Sequence, residues 1–155
     1  MFKFSKLFVS IFYLGFFPIA SGTIGSFFAL IFFYIIIQKI SIITLLIFFI
    51  LLFFLSIKLI TIYSLNAEKF DSSEIIIDEF LGIFIIIIFY EYIKFTNDLM
   101  MFILIFFLFR FFDIVKIFPA NWIDKNLKNS LGVILDDLVA GVYCIIIFLL
   151  INAFL

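Results

Sequence analysis

ISIITLLIFFILLFFLSIKLITI, residues 40 to 62, carries a single charge, Lys58, in an otherwise apolar run. It exceeds the roughly 20 apolar residues that a helix needs to cross the hydrocarbon core of a bilayer. The stretch therefore predicts a membrane-spanning helix, with Lys58 near its end, where the ammonium can snorkel toward water. The whole chain agrees with that reading. Of 155 residues, 68% are hydrophobic and 14% charged, and the mean hydropathy is +1.44, far outside the range of a soluble domain. A net charge of -1 with no clustered basic surface excludes a nucleic-acid partner. Cys144 is the only cysteine and there is no histidine. Internal disulfides, Cys/His zinc sites and histidine-dependent catalysis are thereby excluded, and Cys144 reads as a small core residue. The 28 phenylalanines and the isoleucine runs read as compositional bias and carry no functional argument.

Toward the N-terminus, Leu7 to Ala20 is apolar but broken by Gly15 and Pro18, which suits a short interfacial or partly buried helix ending before Pro18. The first residues resemble a signal peptide, with Ser21 and Gly22 as a cleavage site, but Gly22, Thr23, Gly25 and Ser26 belong to a motif and the segment is expected to stay. Ile24 to Ile37 is a short uncharged span. Beyond Ile62 come a polar loop to Ser73, an apolar segment from Glu74 to Tyr92, a polar turn, and a span from Leu99 to Val115. A polar loop from Phe118 to Ser130 and a last span from Val133 to Phe154 complete the chain. The expected fold is all-α: a polytopic integral membrane helical bundle of about five membrane helices (four to six), plus a short N-terminal interfacial helix. Residues 1 to 155 form one domain.

Threading five spans puts Lys3, Lys6, Lys58, Lys69, Arg110, Lys116, Lys125 and Lys128 on one side of the membrane and Lys39 and Lys94 on the other. The positive-inside rule makes the first side cytoplasmic. The same threading brings residues 21 to 26, 71 to 79 and 110 to 137 to that face. Separated polar clusters thus converge, and ionisable groups at the edge of hydrocarbon are costly enough to suggest a site.

Four clusters carry the chemistry. In DSSEIIIDE, Asp71, Glu74 and Asp78 share a face if a helix begins near Ser72, and with Glu79 close by the four acids repel unless a hard cation such as Mg²⁺ takes their oxygens. Acids at a solvated helix N-terminus would satisfy the macrodipole instead. Arg110, Asp113 and Lys116 form a plus, minus, plus stripe; one aspartate cannot occupy both cations, and arginine suits phosphate through its fork. In GVILDDLVAG, small residues flank Asp136 and Asp137 and allow close helix packing, as does Gly82 after Asp78. ASGTIGS at 20 to 26 opens a helix with hydroxyls at Thr23 and Ser26, features that receive phosphate or merely cap a helix.

Together P-x-A-x-G-T-x-G-S (from Pro18), D-x-x-E-I-x-x-D-E (from Asp71), F-R-x-F-D-I-x-K (from Phe109) and G-x-x-x-D-D-x-x-A-G (from Gly132) resemble the phosphatidylglycerophosphatase A family over most of the chain. The resemblance implies a Mg²⁺-dependent phosphatase of the bacterial inner membrane, its site facing the cytoplasm. Its substrate would be phosphatidylglycerophosphate, hydrolysed to phosphatidylglycerol. Ser21, Ile117 and Leu131 depart from the family's usual Pro, Pro and Gly, which affects loop stiffness rather than chemical groups. On this reading Glu74, Asp78, Glu79, Asp136 and Asp137 hold metal, and Arg110 and Lys116, helped by Thr23 and Ser26, hold phosphate. Asp113 orients the cations or acts as base, with Asp136 and Asp137 also catalytic. The attack can come from metal-activated water, which the clustering of acids favours, or from an aspartate nucleophile. The expected partners are the substrate and membrane lipids. A small cation carrier or channel, lined by the same carboxylates, is the rival from another class; it would spread acids through the membrane's depth and gain nothing from Arg110 and Lys116.

Overall fold

The computed structural model describes residues 1–37, 39–67, 72–94 and 97–154, and among them every regular element is helical. Lys69 and Asp71, used in the charge and acid arguments above, lie outside the described residues. The helices are α1 (Phe2–Val9), α2 (Ser21–Ile36), α3 (Ile42–Ala67), α4 (Ile77–Ile88), α5 (Tyr90–Ile93), α6 (Asp98–Val115), α7 (Ala120–Asn126) and α8 (Ser130–Phe154), with one 3₁₀ turn at Leu14–Phe16.

Burial around α4 explains the architecture. Of its residues only Asp78, Glu79 and Ile85 are not fully buried, and a helix that is apolar on every side belongs in a core. It packs against α2, α3 and α8. On the α2 side, Phe33 packs in tilted contact against both Phe80 and Phe84, at centroid distances of 5.1 and 4.5 Å. On the α8 side two glycines meet: a Cβ on Gly141 would lie 2.6 Å from the Gly82 carbonyl oxygen, and one on Gly82 would lie 2.9 Å from the Asp137 carbonyl oxygen. The backbones approach at the small residues that the sequence puts one turn past Asp78 and Asp137.

The segment expected as one span from Glu74 to Tyr92 is shorter and divided. Residues 72 to 76 are not helical, because Ile76 donates its backbone N–H to the Val9 carbonyl (2.9 Å) and ties the chain to the end of α1. Helix α4 starts only after that contact, so Glu74 and Asp78 do not share a helical face. The N-terminal region also differs from expectation: α1 ends at Val9 and irregular backbone with positive φ at Ile11, Phe12 and Tyr13 leads to the 3₁₀ turn. The loop from Phe118 to Ser130 contains α7.

Among the described residues two helices, α3 and α8, are long and apolar enough to cross a membrane. In α3 the buried positions include Leu45, Leu52, Ser56, Leu59, Ile60 and Tyr63, a narrow stripe, while Ile43, Leu51, Phe54 and Leu65 are 64 to 66% exposed. Large apolar side chains open on the remaining faces suit a hydrocarbon solvent, in which their exposure costs nothing.

Candidate active site

A cavity of about 420 Å³ opens where the N-terminal ends of α2, α4 and α8 meet the C-terminal end of α6 and α7. Six carboxylates line it, Asp78, Glu79, Asp113, Asp124, Asp136 and Asp137, against the cations Arg110, Lys116 and Lys128. The surplus is negative and enclosed, which makes room for a cation.

Two adjacent positions on α4 and one on α8 supply the acid cluster. Oxygens of Asp78, Glu79 and Asp137 all lie within 4.8 Å of one another. Asp78 Oδ1, Glu79 Oε2 and Asp136 Oδ1 are buried without a hydrogen-bond partner, an arrangement that costs free energy unless something else satisfies them. An all-oxygen donor set with orphaned lone pairs fits a hard divalent cation such as Mg²⁺. The Gly82 and Gly141 crossing sets how closely the acid-bearing turns of α4 and α8 approach.

The cationic wall is built from ion pairs. Arg110 donates from Nη1 to Asp113 Oδ2 at 2.5 Å one turn on, and both side chains are under 20% exposed. The same nitrogen lies 3.4 Å from Ser26 Oγ on α2, while Arg110 Nε has no partner. Lys116 caps α6 with left-handed backbone (φ 47°), a conformation uncommon for a residue with a Cβ. Its Nζ reaches Asp136 Oδ2 on α8 (2.6 Å) and Asp124 Oδ1 on α7 (3.0 Å). Burial alone would lower the Lys116 pKa, but the hydrogen bonds and charges of Asp136 and Asp124 outweigh it and raise it, so the ammonium is held protonated.

Most of the residues singled out from the sequence meet here: Asp78, Glu79, Arg110, Asp113, Lys116, Asp136 and Asp137 all face the cavity. Three do not line it. Glu74 Oε2 accepts from Tyr63 and from Ser72 Oγ (2.7 Å), apart from the three clustered acids. Ser26 is buried, donating to the Gly22 carbonyl (2.8 Å) and lying behind Arg110. Thr23 lies on the first turn of α2 outside the lining. Asp113 serves Arg110, whereas Lys116 turns to Asp136 and Asp124. Gly22 acts through its lack of a side chain: a Cβ there would strike Glu79 Oε1 and lie 3.2 Å from Arg110 Nη1. Asp124 is hard to find in the sequence because its neighbours Lys125 and Lys128 make it look like part of a solvated loop, and Pro119 breaks any helix that could carry both it and Lys116. Ser21, one of the departures noted above, donates to the Ser73 carbonyl (2.5 Å) and fastens α2 to the segment before α4.

An all-helical bundle with lipid-suited faces and an enclosed acid cluster beside an arginine belongs to a class of helical proteins equipped to hold a cation and an anion together. The comparisons narrow the class. A family model described as Phosphatidylglycerophosphatase A matches residues 7–152, and the chain belongs to the phosphatidylglycerophosphatase A family. It is similar to Phosphatidylglycerophosphatase A of Haemophilus influenzae, 38% identical over 77 residues covering 50% of this chain and 45% of that protein. It is also similar to Phosphatidylglycerophosphatase A of Escherichia coli, 31% identical over 125 residues covering 81% of this chain and 70% of that protein. The match thus spans under half of the first relative and over two thirds of the second. No solved structure matches.

Proposed function

We propose that this chain is a Mg²⁺-dependent lipid phosphatase that hydrolyses phosphatidylglycerophosphate to phosphatidylglycerol and phosphate. We further propose a multi-pass bundle of about five membrane helices in the bacterial inner membrane, with the cavity open to the cytoplasm. The observation that carries the reading is the juxtaposition of Asp78, Glu79 and Asp137 with Arg110 in one cavity. Family membership and the names of the two relatives support the substrate.

In this mechanism Asp78, Glu79 and Asp137 hold the ion. Mg²⁺ bound there would supply positive charge to the phosphoryl oxygens and make water more acidic. Arg110 takes the terminal phosphate with its guanidinium, and Asp113, bonded to it, is a positioning residue that keeps the fork aimed. Lys116 adds a second positive charge and holds one oxygen of Asp136. The unpaired Asp136 Oδ1 accepts a proton from the attacking water. Oxygen bonds to phosphorus, the phosphorus to glycerol-oxygen bond breaks, and the departing oxygen takes up a proton from water, so the lipid leaves as its alcohol while Asp136 returns its proton to solvent. Fixed charges aimed at the phosphoryl group need no reorganisation during the reaction.

The test is phosphate release from phosphatidylglycerophosphate in detergent micelles, with Mg²⁺ or EDTA, for the wild type beside Asp137→Asn and Arg110→Ala. Release should require the metal and fall by at least ~10²-fold in each variant, about 2.7 kcal/mol of barrier. Metal-independent release, or none from folded wild type, overturns the proposal; ion flux in liposomes would then test the carrier reading.

A further inference from the structure

The seam between α2 and α6 is polar at one end and apolar along the rest. At the polar end Arg110 Nη1 approaches Ser26 Oγ at 3.4 Å. Stepping back from Arg110 along α6 by four, seven and eleven residues gives Phe106, Ile103 and Leu99, the stripe that faces the same way on a helix. All three line an apolar groove of about 530 Å³, larger than the polar cavity. Helix α2 repeats the pattern: Gly22 and Ser26 at the polar end continue into Leu30 and Tyr34 in the groove. Leu30 and Phe102, both buried, form its floor, and Phe27 and Phe106 meet edge to face at 6.0 Å. Ile31, Ile103 and Phe107 form open walls, 46, 49 and 67% exposed.

The dimensions suit one hydrocarbon chain. From Leu99 to Arg110 the helix rises about 16 Å at 1.5 Å per residue, close to half of a hydrocarbon core about 30 Å thick. We propose that the groove between α2 and α6 holds one acyl chain of the lipid substrate, so that its phosphate end reaches Arg110 from the membrane side. This rests on the phosphatase reading above and adds the place where the lipid is gripped. An arginine at the head of an apolar trough matches an anionic group at the head of an apolar tail. Binding energy from the non-reacting chain then positions the reacting phosphate.

The experiment compares dioleoyl and dibutyryl phosphatidylglycerophosphate as substrates for the wild type, for Ile31→Trp and Ile103→Trp, which fill the groove, and for Leu51→Trp on the exposed face of α3. The groove-filled variants should lower the dioleoyl to dibutyryl ratio of kcat/KM by at least ~10-fold, chiefly through KM. Leu51→Trp should keep the wild-type ratio. Retained dibutyryl turnover shows that a variant is folded; a variant without it is replaced by Ile31→Phe or Ile103→Phe, whose ratio is expected to fall in the same direction. An unchanged ratio overturns the groove assignment and leaves the phosphatase standing. If the ratio is unchanged but the variants lose a dimer seen for wild type in detergent, a second copy of the chain is the occupant and the assignment is likewise overturned. Failure of wild type to hydrolyse either lipid removes the phosphatase reading itself.

Discussion

At the scale of single residues, a few side chains separate two roles for Asp113 that spacing left open. Its carboxylate oxygen lies 2.5 Å from Arg110 Nη1, and both side chains are mostly buried, so the pair is fixed rather than fluctuating in solvent. If Asp113 acts only by aiming the guanidinium, removing Arg110 should leave it nothing to aim. We predict that Asp113→Asn lowers kcat/KM by roughly tenfold alone, and by nothing further in an Arg110→Ala background, a coupling read by a double-mutant cycle. Multiplying losses would instead give Asp113 a chemical role of its own, as base. Lys116 differs in kind, since it joins three helices through Asp136 and Asp124. We expect Lys116→Ala to destabilise the fold as well as slow the reaction, because it leaves the largely buried Asp136 without its cation, a loss of several kcal/mol in comparable buried pairs. Thermal unfolding in detergent measures this, and an unchanged Tm would remove the structural role.

At the scale of elements, the crossing of α4 and α8 decides whether the acids can share an ion. A Cβ on Gly82 would fall 2.6 Å from the Phe109 ring and 2.9 Å from the Asp137 backbone oxygen. The second of these is backbone and cannot rotate away. Gly82→Ala should therefore spread the helices, destabilising the bundle by about 1 to 3 kcal/mol, as overpacking typically does. It should also reduce Mg²⁺ affinity, although alanine carries no charge and does not touch the ion. Unfolding and Mg²⁺ titration of the same variant test both, and wild-type values would mean that the crossing relaxes at little cost. The start of α4 is hidden from hydropathy, which runs on from Ile75 into Ile88, whereas the bond from Ile76 to Val9 holds the first residues out of the helix. That contact joins residues far apart in sequence, and no local pattern announces it.

At the scale of the whole molecule, an ion that binds only the folded site stabilises it by mass action. At a Mg²⁺ concentration of one hundred times Kd the gain is about 2.7 kcal/mol, so wild type should melt higher with Mg²⁺ and Asp78→Asn should not; equal shifts in both would put the ion elsewhere. The proposed topology has its own test, made simple because Cys144 is buried. A cysteine introduced at Lys128, on the rim of the cavity, should react with a membrane-impermeant maleimide only from the cytoplasmic side, and labelling from outside would reverse the orientation. Much of this protein was legible along the chain. Helical class, the long apolar helices, and the acids and cations of the cavity follow from hydropathy and from the high cost of leaving charge beside hydrocarbon, both of which are local and additive. Tertiary contacts alone decided the rest. Glu74 accepts from Tyr63 and Ser72, Asp124 arrives on α7 to share Lys116, and Gly22 leaves the space that the Glu79 carboxylate occupies. Each depends on which helices touch and at what separation, and the bundle's packing determines that, because hydrogen bonds, ion pairs and steric contacts act over a few ångströms in space, however far apart the partners lie in sequence.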